Sequence, residues 1–368
     1  MKFYECKAHE IFRKYGIPVP RGVLAATPED LVDPPLPCAV KAQVLVGGRG
    51  KAGGIKFAKT LEEAREAARA ILGMTIGPYT VRQVYAQEML DIAQELYLSI
   101  TIDRSARAPL LIASATGGME IESVPEKSLF RIHLPPLVGL QPYVLRALAK
   151  KLGLPKEGAS RVSDIVRKAF ALFEGEDAEL VEINPLAVLK DGRVMAGDAK
   201  LIVDDNAEYR HPEYADLPQD RTPLEEEAHD KGITFIQLDG DIGVIANGAG
   251  LTMATLDVLN LKGGRGGTFL DLGGTDDPEK VKQAFEILLK AKPSVILLNI
   301  FGGITKADTV AQGVREALEE MHVNVPVIAR IKGVNEDRAR EILQGIGHPA
   351  DSMEEAAELA VRAKAGGP

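Results

Sequence analysis

A chain of 368 residues, 45% apolar and 26% charged, is long enough for two or three globular domains and needs no disulfide or metal to hold a core. Its 44 basic against 53 acidic residues leave a net charge of −9, which argues against nucleic acid held on a broad basic surface but leaves room for small anions bound by local donors. No apolar run approaches the roughly 18 residues of a membrane span.

The stretch Met1–Arg21 mixes acids, bases and prolines and has no signal or transit character. Cys6 and Cys38 lack Cys or His neighbours at metal-ligand spacing and read as reduced thiols. The expected compartment is the cytoplasm, with a processed organelle enzyme as second choice.

In chain order, His9–Tyr15 reads as a short helix stopped by Gly16 and Pro18. Ala39–Val46 and Ile55–Ala58 read as strands around a glycine-rich loop, and Leu61–Leu72 as an amphipathic helix. Strands follow at Glu95–Asp103 and Leu110–Ala115, then helices at Tyr143–Leu152 and Arg161–Phe173. Leu180–Leu189 and Val194–Val203 form a hairpin signalled by Asp191-Gly192. Asp204–Asp230, polar and carrying Pro212, Pro218 and Pro223, reads as a connection between domains. Beyond it, apolar strands at 235–238, 242–246, 268–272, 295–301 and 325–331 alternate with amphipathic helices. That alternation predicts a parallel α/β sheet covered on both faces, with ligands at the carboxyl ends of its strands.

Gly47-Gly-Arg-Gly-Lys-Ala-Gly-Gly54 holds a formal G-x-G-x-x-G, but a strand follows it where a dinucleotide fingerprint requires a helix. No Gly-Lys-Ser/Thr occurs, so there is no Walker A motif. The remaining readings are a flexible surface hairpin or a flap whose amides, with Arg49 and Lys51, close over polyphosphate. Lys41 on the preceding strand aims one charge at the same place.

Asn184 and Asp198 offer hard oxygens suited to Mg²⁺ if they face each other. A two-residue Asp191-Gly192 turn puts them on opposite faces; a three-residue loop beginning at Lys190 puts them directly opposite. The alternative is a strand-edge interruption beside a solvated acid. Asn247-Gly-Ala-Gly250 and Gly302-Gly303-Ile304-Thr305 each follow a strand and are expected to open a helix, whose N-terminus favours an anion. Gly263–Gly267 is expected to be a mobile loop, and most of the six histidines surface or helix-end residues. No phosphoryl-accepting histidine stands in these loops.

Five stretches together resemble the β subunits of the succinyl-CoA synthetase (succinate–CoA ligase) family: GGRGKAGG (47–54), DIAQELYL (91–98), VEINPL (181–186), NGAGLTMATLD (247–257) and NIFGGI (299–304). They run in order through almost the whole chain. Malate–CoA ligase β subunits and citrate-cleaving relatives share much of this pattern.

The resemblance implies an α+β ATP-grasp fold over residues 1–225 and a flavodoxin-like α/β domain over 226–368. It implies the reversible reaction of succinate, CoA and ATP or GTP to succinyl-CoA, ADP or GDP and phosphate. A histidine on a partner α subunit carries the phosphoryl group in that family, in an αβ or α2β2 assembly. By position, Lys41, Gly48, Arg49 and Gly50 would contact nucleotide phosphates, and Glu95 would be a nucleotide-binding carboxylate. Gln87 and Leu90 fall where the hinge strand reaches the base, although the family carries Glu and Thr there. Asn184 and Asp198 would hold Mg²⁺, and Glu182 would orient the swinging phosphohistidine. Asn247, Gly303, Ile304 and Thr305 would lie on the substrate side. The competing readings are a malate–CoA ligase β subunit and a nucleotide-binding regulatory protein without chemistry.

Overall fold

Apolar side chains at helical spacing and short β-branched runs divide the chain into two units, Met1–Asp220 and Arg221–Pro368. The computed structural model describes residues 1–214, 217, 221–275, 277–303, 306–321 and 324–366.

The first unit opens with helix α1 (Glu5–Lys14) and strands β1 (Gly22–Ala25), β2 (Cys38–Ala42) and β3 (Ile55–Ala58). Helix α2 (Leu61–Ile71), a ribbon of β4 (Thr75–Ile76) and β5 (Tyr79–Thr80), and β6 (Val84–Glu88) follow. The order β1-β6-β2-β3 makes an antiparallel sheet. The stripe Ala64, Ala67, Ala68 and Ile71 of α2 packs on its Val40, Ala42 and Ala86. Thr60 caps α2 by accepting from the Glu63 amide.

A second sheet comprises β7 (Ile92–Asp103), β8 (Ala108–Ser114), β9 (Leu129–His133), β10 (Ala178–Leu189), β11 (Val194–Ala196) and β12 (Lys200–Val203). Helices α3 (Pro142–Leu152) and α4 (Lys156–Gly175) join α1 over it, burying Ile11, Phe12, Leu148, Ile165 and Leu172.

The predicted strand over 194–203 is two strands, β11 and β12, interrupted at Gly197-Asp198-Ala199. Its partner β10 slips register against β7 between Ile183 and Leu186, so two residues, Asn184 and Pro185, face one. Such a bulge redirects side chains locally, and here it redirects Asn184. Leu186 pairs with Ala196 and Glu182 with Lys200, the register of the three-residue loop. Gly192 takes the left-handed conformation that this loop needs, at φ +85°.

The second unit runs α5 (Pro223–Asp230), β13 (Thr234–Gln237), β14 (Ile242–Ala246), α6 (Ala249–Leu261), β15 (Gly266–Asp271) and α7 (Pro278–Lys290). It continues through β16 (Val295–Gly302), α8 (Ala307–Glu320), β17 (Val327–Gly333), α9 (Glu336–Ile342), β18 (His348–Pro349) and α10 (Met353–Lys364). The sheet order is β13-β15-β14-β16-β17-β18, parallel except for β13. Alternate residues of β16 feed two cores. Ile296, Leu298 and Ile300 meet α7 and α8, while Val295 and Leu297 meet α6 and α10.

Two expectations need correction. The stretch 204–230 is not a plain linker. Ala207 and Tyr214 are buried in the first unit, with the Tyr214 ring edge-on to Phe3 at 4.9 Å, and residues 223–230 form α5 in the second. The two units divide between Asp220 and Arg221. Gly266 and Gly267 belong to β15 rather than to a loop; Gly266 pairs with Ile242 of β14, and a Cβ on Gly267 would lie 2.6 Å from the Gly240 carbonyl oxygen. No helix among the described residues is long and apolar enough to cross a membrane.

Candidate functional site

Helix α1 begins four residues before the predicted start, and its first turn brings Glu5 inside. Glu5 is 3% exposed, and it meets Lys41 from the central strand β2 at 2.6 Å and Arg49 from the glycine loop at 2.7 Å. Burial by itself would push the Glu5 carboxyl up; the two cations outweigh it and hold the group well below the usual carboxylate range. Sequence reasoning missed this residue. A first-turn acid is ordinary helix chemistry, and its partners lie 36 and 44 positions away.

Lys41 Nζ also donates to Gln87 Oε1 (3.0 Å) and the Gly197 carbonyl (3.3 Å), while Gln87 Nε2 donates to that carbonyl at 2.8 Å. The Gln87 side chain is thus committed to orienting Lys41. Leu90 stands beside Gly197, with its Cδ1 3.7 Å from where a Cβ would be.

Arg49 does not reach outward as a flap residue. Its Nη2 donates to both oxygens of Asp198 (3.1 and 2.8 Å) and its Nη1 to Glu5. Burial would lower the guanidinium pKa, but the two carboxylates raise it. Enclosure and the nearby Glu5 charge push the Asp198 carboxyl up, against the pull of Arg49. Gly48 (φ +77°) and Gly50 are exposed in the loop on either side of Arg49. Lys51 turns to Glu120.

The ladder on both sides of the interruption sets Asn184 and Asp198 at one level of the hairpin. Asn184 Oδ1 accepts from the Gly118 amide (2.7 Å), and its Nδ2 donates to the Met119 carbonyl (2.9 Å). The pair offers the hard oxygen donors a small divalent cation takes, so the residues fit Mg²⁺. Glu182 lies two residues back on β10; burial pushes its carboxyl up, Lys200 opposes, and Asp198 and Glu122 add to the rise.

Glu95 belongs to the same group through Gly117-Gly118. Gly117 N donates to the Glu95 carbonyl (2.9 Å), and Gly118, at φ +72°, leaves room for the Glu95 carboxylate. A Cβ on Gly117 would lie 2.3 Å from the Leu96 carbonyl oxygen, which is backbone and cannot step aside. At Gly118 it would meet the movable end of Glu95. Gly117→Ala is therefore expected to lower stability by about 2–3 kcal/mol and Gly118→Ala by about 1 kcal/mol, read from denaturant midpoints. Equal losses would contradict this ranking.

His9 departs from the surface reading. It is fully buried, neither ring nitrogen has a hydrogen-bond partner, and burial lowers its pKa to about 4. His211 is buried too and bonds Asp177 at 2.9 Å. Cys6 and Cys38 are free and buried.

In the second unit, Asn247 follows β14 and bonds the Phe301 backbone twice, Nδ2 to the carbonyl and Oδ1 from the amide, each at 2.8 Å. Gly248, at φ +96°, precedes α6 and donates its N–H to Asp271 Oδ1, which also accepts from Gly273. A carboxylate of the chain itself therefore stands at this helix end. Gly302 closes β16 and exposed Gly303 follows, but α8 starts only at Ala307, so these glycines do not open the helix. Ile304 and Thr305 lie outside the described residues.

The family model for the ATP-grasp domain matches residues 2–188, and that for CoA-ligase matches residues 245–364. The chain is 46% identical to the succinate–CoA ligase [ADP-forming] subunit beta of Pyrobaculum calidifontis, over 98% of this chain and 99% of that one. It is 43% identical to the protein of the same name from Nautilia profundicola, over the full length of both. The ATP citrate lyase structure from Methanothrix soehngenii shares the fold, with a TM-score of 0.71 over 98% of this chain and 99% of that one at 18% identity. An ATP-grasp domain followed by a CoA-ligase domain defines the class. The chain belongs to the succinate–CoA ligase β-subunit family.

Proposed function

We infer that this chain is the nucleotide-binding β subunit of a heteromeric succinate–CoA ligase, an acid–thiol ligase that interconverts succinate, CoA and nucleoside triphosphate with succinyl-CoA, nucleoside diphosphate and phosphate. The observation that carries this reading is the 43–46% identity spread end to end over both family domains. We assign nucleotide binding to the first unit and the CoA-ligase part to the second. The ADP-forming relatives support an adenine nucleotide.

Phosphoryl transfer depends on positioning and charge neutralisation more than on covalent help from the protein. Lys41, held by Gln87 and Glu5, supplies a fixed positive charge, and the exposed amides around Gly48 and Gly50 supply donors. Arg49 would turn from Asp198 to the phosphates. Asn184 and Asp198 would hold Mg²⁺, which would neutralise phosphate charge when bound. The relatives' naming as beta subunits supports an α partner carrying the acceptor histidine, oriented by Glu182, in a cytoplasmic αβ or α2β2 enzyme. In the second unit we place Asn247 and the segment Gly303-Ile304-Thr305 on the substrate side.

The test is to co-purify the chain with its partner and assay ATP- and GTP-dependent succinyl-CoA formation, with malate in parallel. Turnover is expected only in the complex, with succinate and with ATP. Robust turnover by this chain alone would overturn the two-subunit reading.

A further inference from the structure

Both Asp198 oxygens receive Arg49 Nη2, at 3.1 and 2.8 Å, so the guanidinium lies across the lone pairs a cation would use. Leaving would also break the Arg49 bonds to Glu5 (2.7 Å) and the Ala42 carbonyl (3.3 Å), and the loop around it gives room for that movement. Gly48, at φ +77° with open space around its Cβ position, precedes it, and Gly50 follows. Its departure strands no buried charge at Glu5, because Lys41 stays there at 2.6 Å. Asp198 keeps a 29% exposed side chain and so stays reachable. A polyphosphate is the stronger anion for a guanidinium fork and would compete for it.

We propose that Arg49 is a displaceable guard of Asp198, covering the cation-binding carboxylate until nucleotide phosphates draw it away. This rests on the reading of Asp198 as a metal ligand. Free divalent cation then binds the nucleotide-free chain weakly. Part of the synergy between cation and nucleotide arises in the protein, beyond the phosphates' own affinity for metal. Linkage makes the effect reciprocal: cation at Asp198 frees Arg49 for phosphate.

The experiment measures Mn²⁺ binding to the full chain without nucleotide, from the electron paramagnetic resonance signal of free Mn²⁺. Arg49→Gln is expected to tighten binding about tenfold, the equivalent of one charge-assisted hydrogen bond. Arg49→Lys, which keeps the charge but loses the fork, should give a smaller gain and covers the case of a misfolded Gln variant.

Lys41→Gln removes a charge that also faces the Gly197–Asp198 segment but does not bond Asp198. It should tighten Mn²⁺ binding less than Arg49→Gln does, because the enclosed ammonium acts on Asp198 through its charge without covering the carboxylate oxygens. No gain in the Arg49 variants, or an equal gain in Lys41→Gln, would overturn the proposal. Asp198→Asn tests the underlying reading separately and is expected to weaken Mn²⁺–ADP binding. If it does not, Asp198 is not a ligand and the guard falls with that assignment.

Discussion

Lys41→Gln is expected to lower ATP-dependent phosphorylation of the partner subunit by about 10²- to 10³-fold, the scale of removing one preorganised donor from a developing charge. The measurement is transfer of labelled phosphate from ATP in the assembled complex. The loss should appear in the rate at saturating nucleotide, because Lys41 is held in place before the ligand arrives. Glu5 Oε1, Gln87 Oε1 and the Gly197 carbonyl all receive its ammonium within 3.3 Å. The variant should keep its fold, since Glu5 retains Arg49 at 2.7 Å. A rate within threefold of the parent would remove Lys41 from the site.

Glu5→Gln is expected to act on stability first. It leaves two enclosed cations facing a neutral amide, and breaking a buried ion pair from one side costs about 3–5 kcal/mol. Thermal melts should show the loss, and ATP or pyrophosphate should restore more of it than in the parent, because phosphate supplies the missing negative charge. The parent also has an acid limb. The folded carboxyl of Glu5 titrates well below its unfolded value near about 4.3. Its contribution is complete above that unfolded value and is lost as pH falls toward the depressed folded one. Stability measured from pH 6 down to pH 3 should therefore fall less steeply in Glu5→Gln. Parallel curves would show that Glu5 carries no such charge.

What could be read from the chain follows how local each signal is. Ile55–Ala58 and Ile242–Ala246 are strands to the residue, because apolar runs between turn residues define them. Gly22–Ala25 and Val84–Glu88 left no such mark. Each is a short run whose pairing, Gly22 with Gln87 through Ala25 with Val84, is decided at long range. The α5 start is legible locally: Thr222-Pro-Leu-Glu225 is a capping box with proline in the first turn, inside a stretch whose polarity otherwise reads as a linker. Lys41, Arg49, Asn184 and Asp198 stood out by residue type and setting. Glu5 did not, because its meaning lies in what two distant loops bring to it.

The doubly bonded Asn247 fixes the chain after β14 against the carboxyl end of β16. A carboxamide has two N–H groups and two lone pairs, and Phe301 takes one of each. The remaining N–H and lone pair point away from each other, on opposite edges of the fixed amide plane. Aspartate there would keep the shape, lose the donor, and set a charge against the Phe301 carbonyl. The side chain is thus a two-point clasp between neighbouring strand ends, its orientation set by the backbone of Phe301.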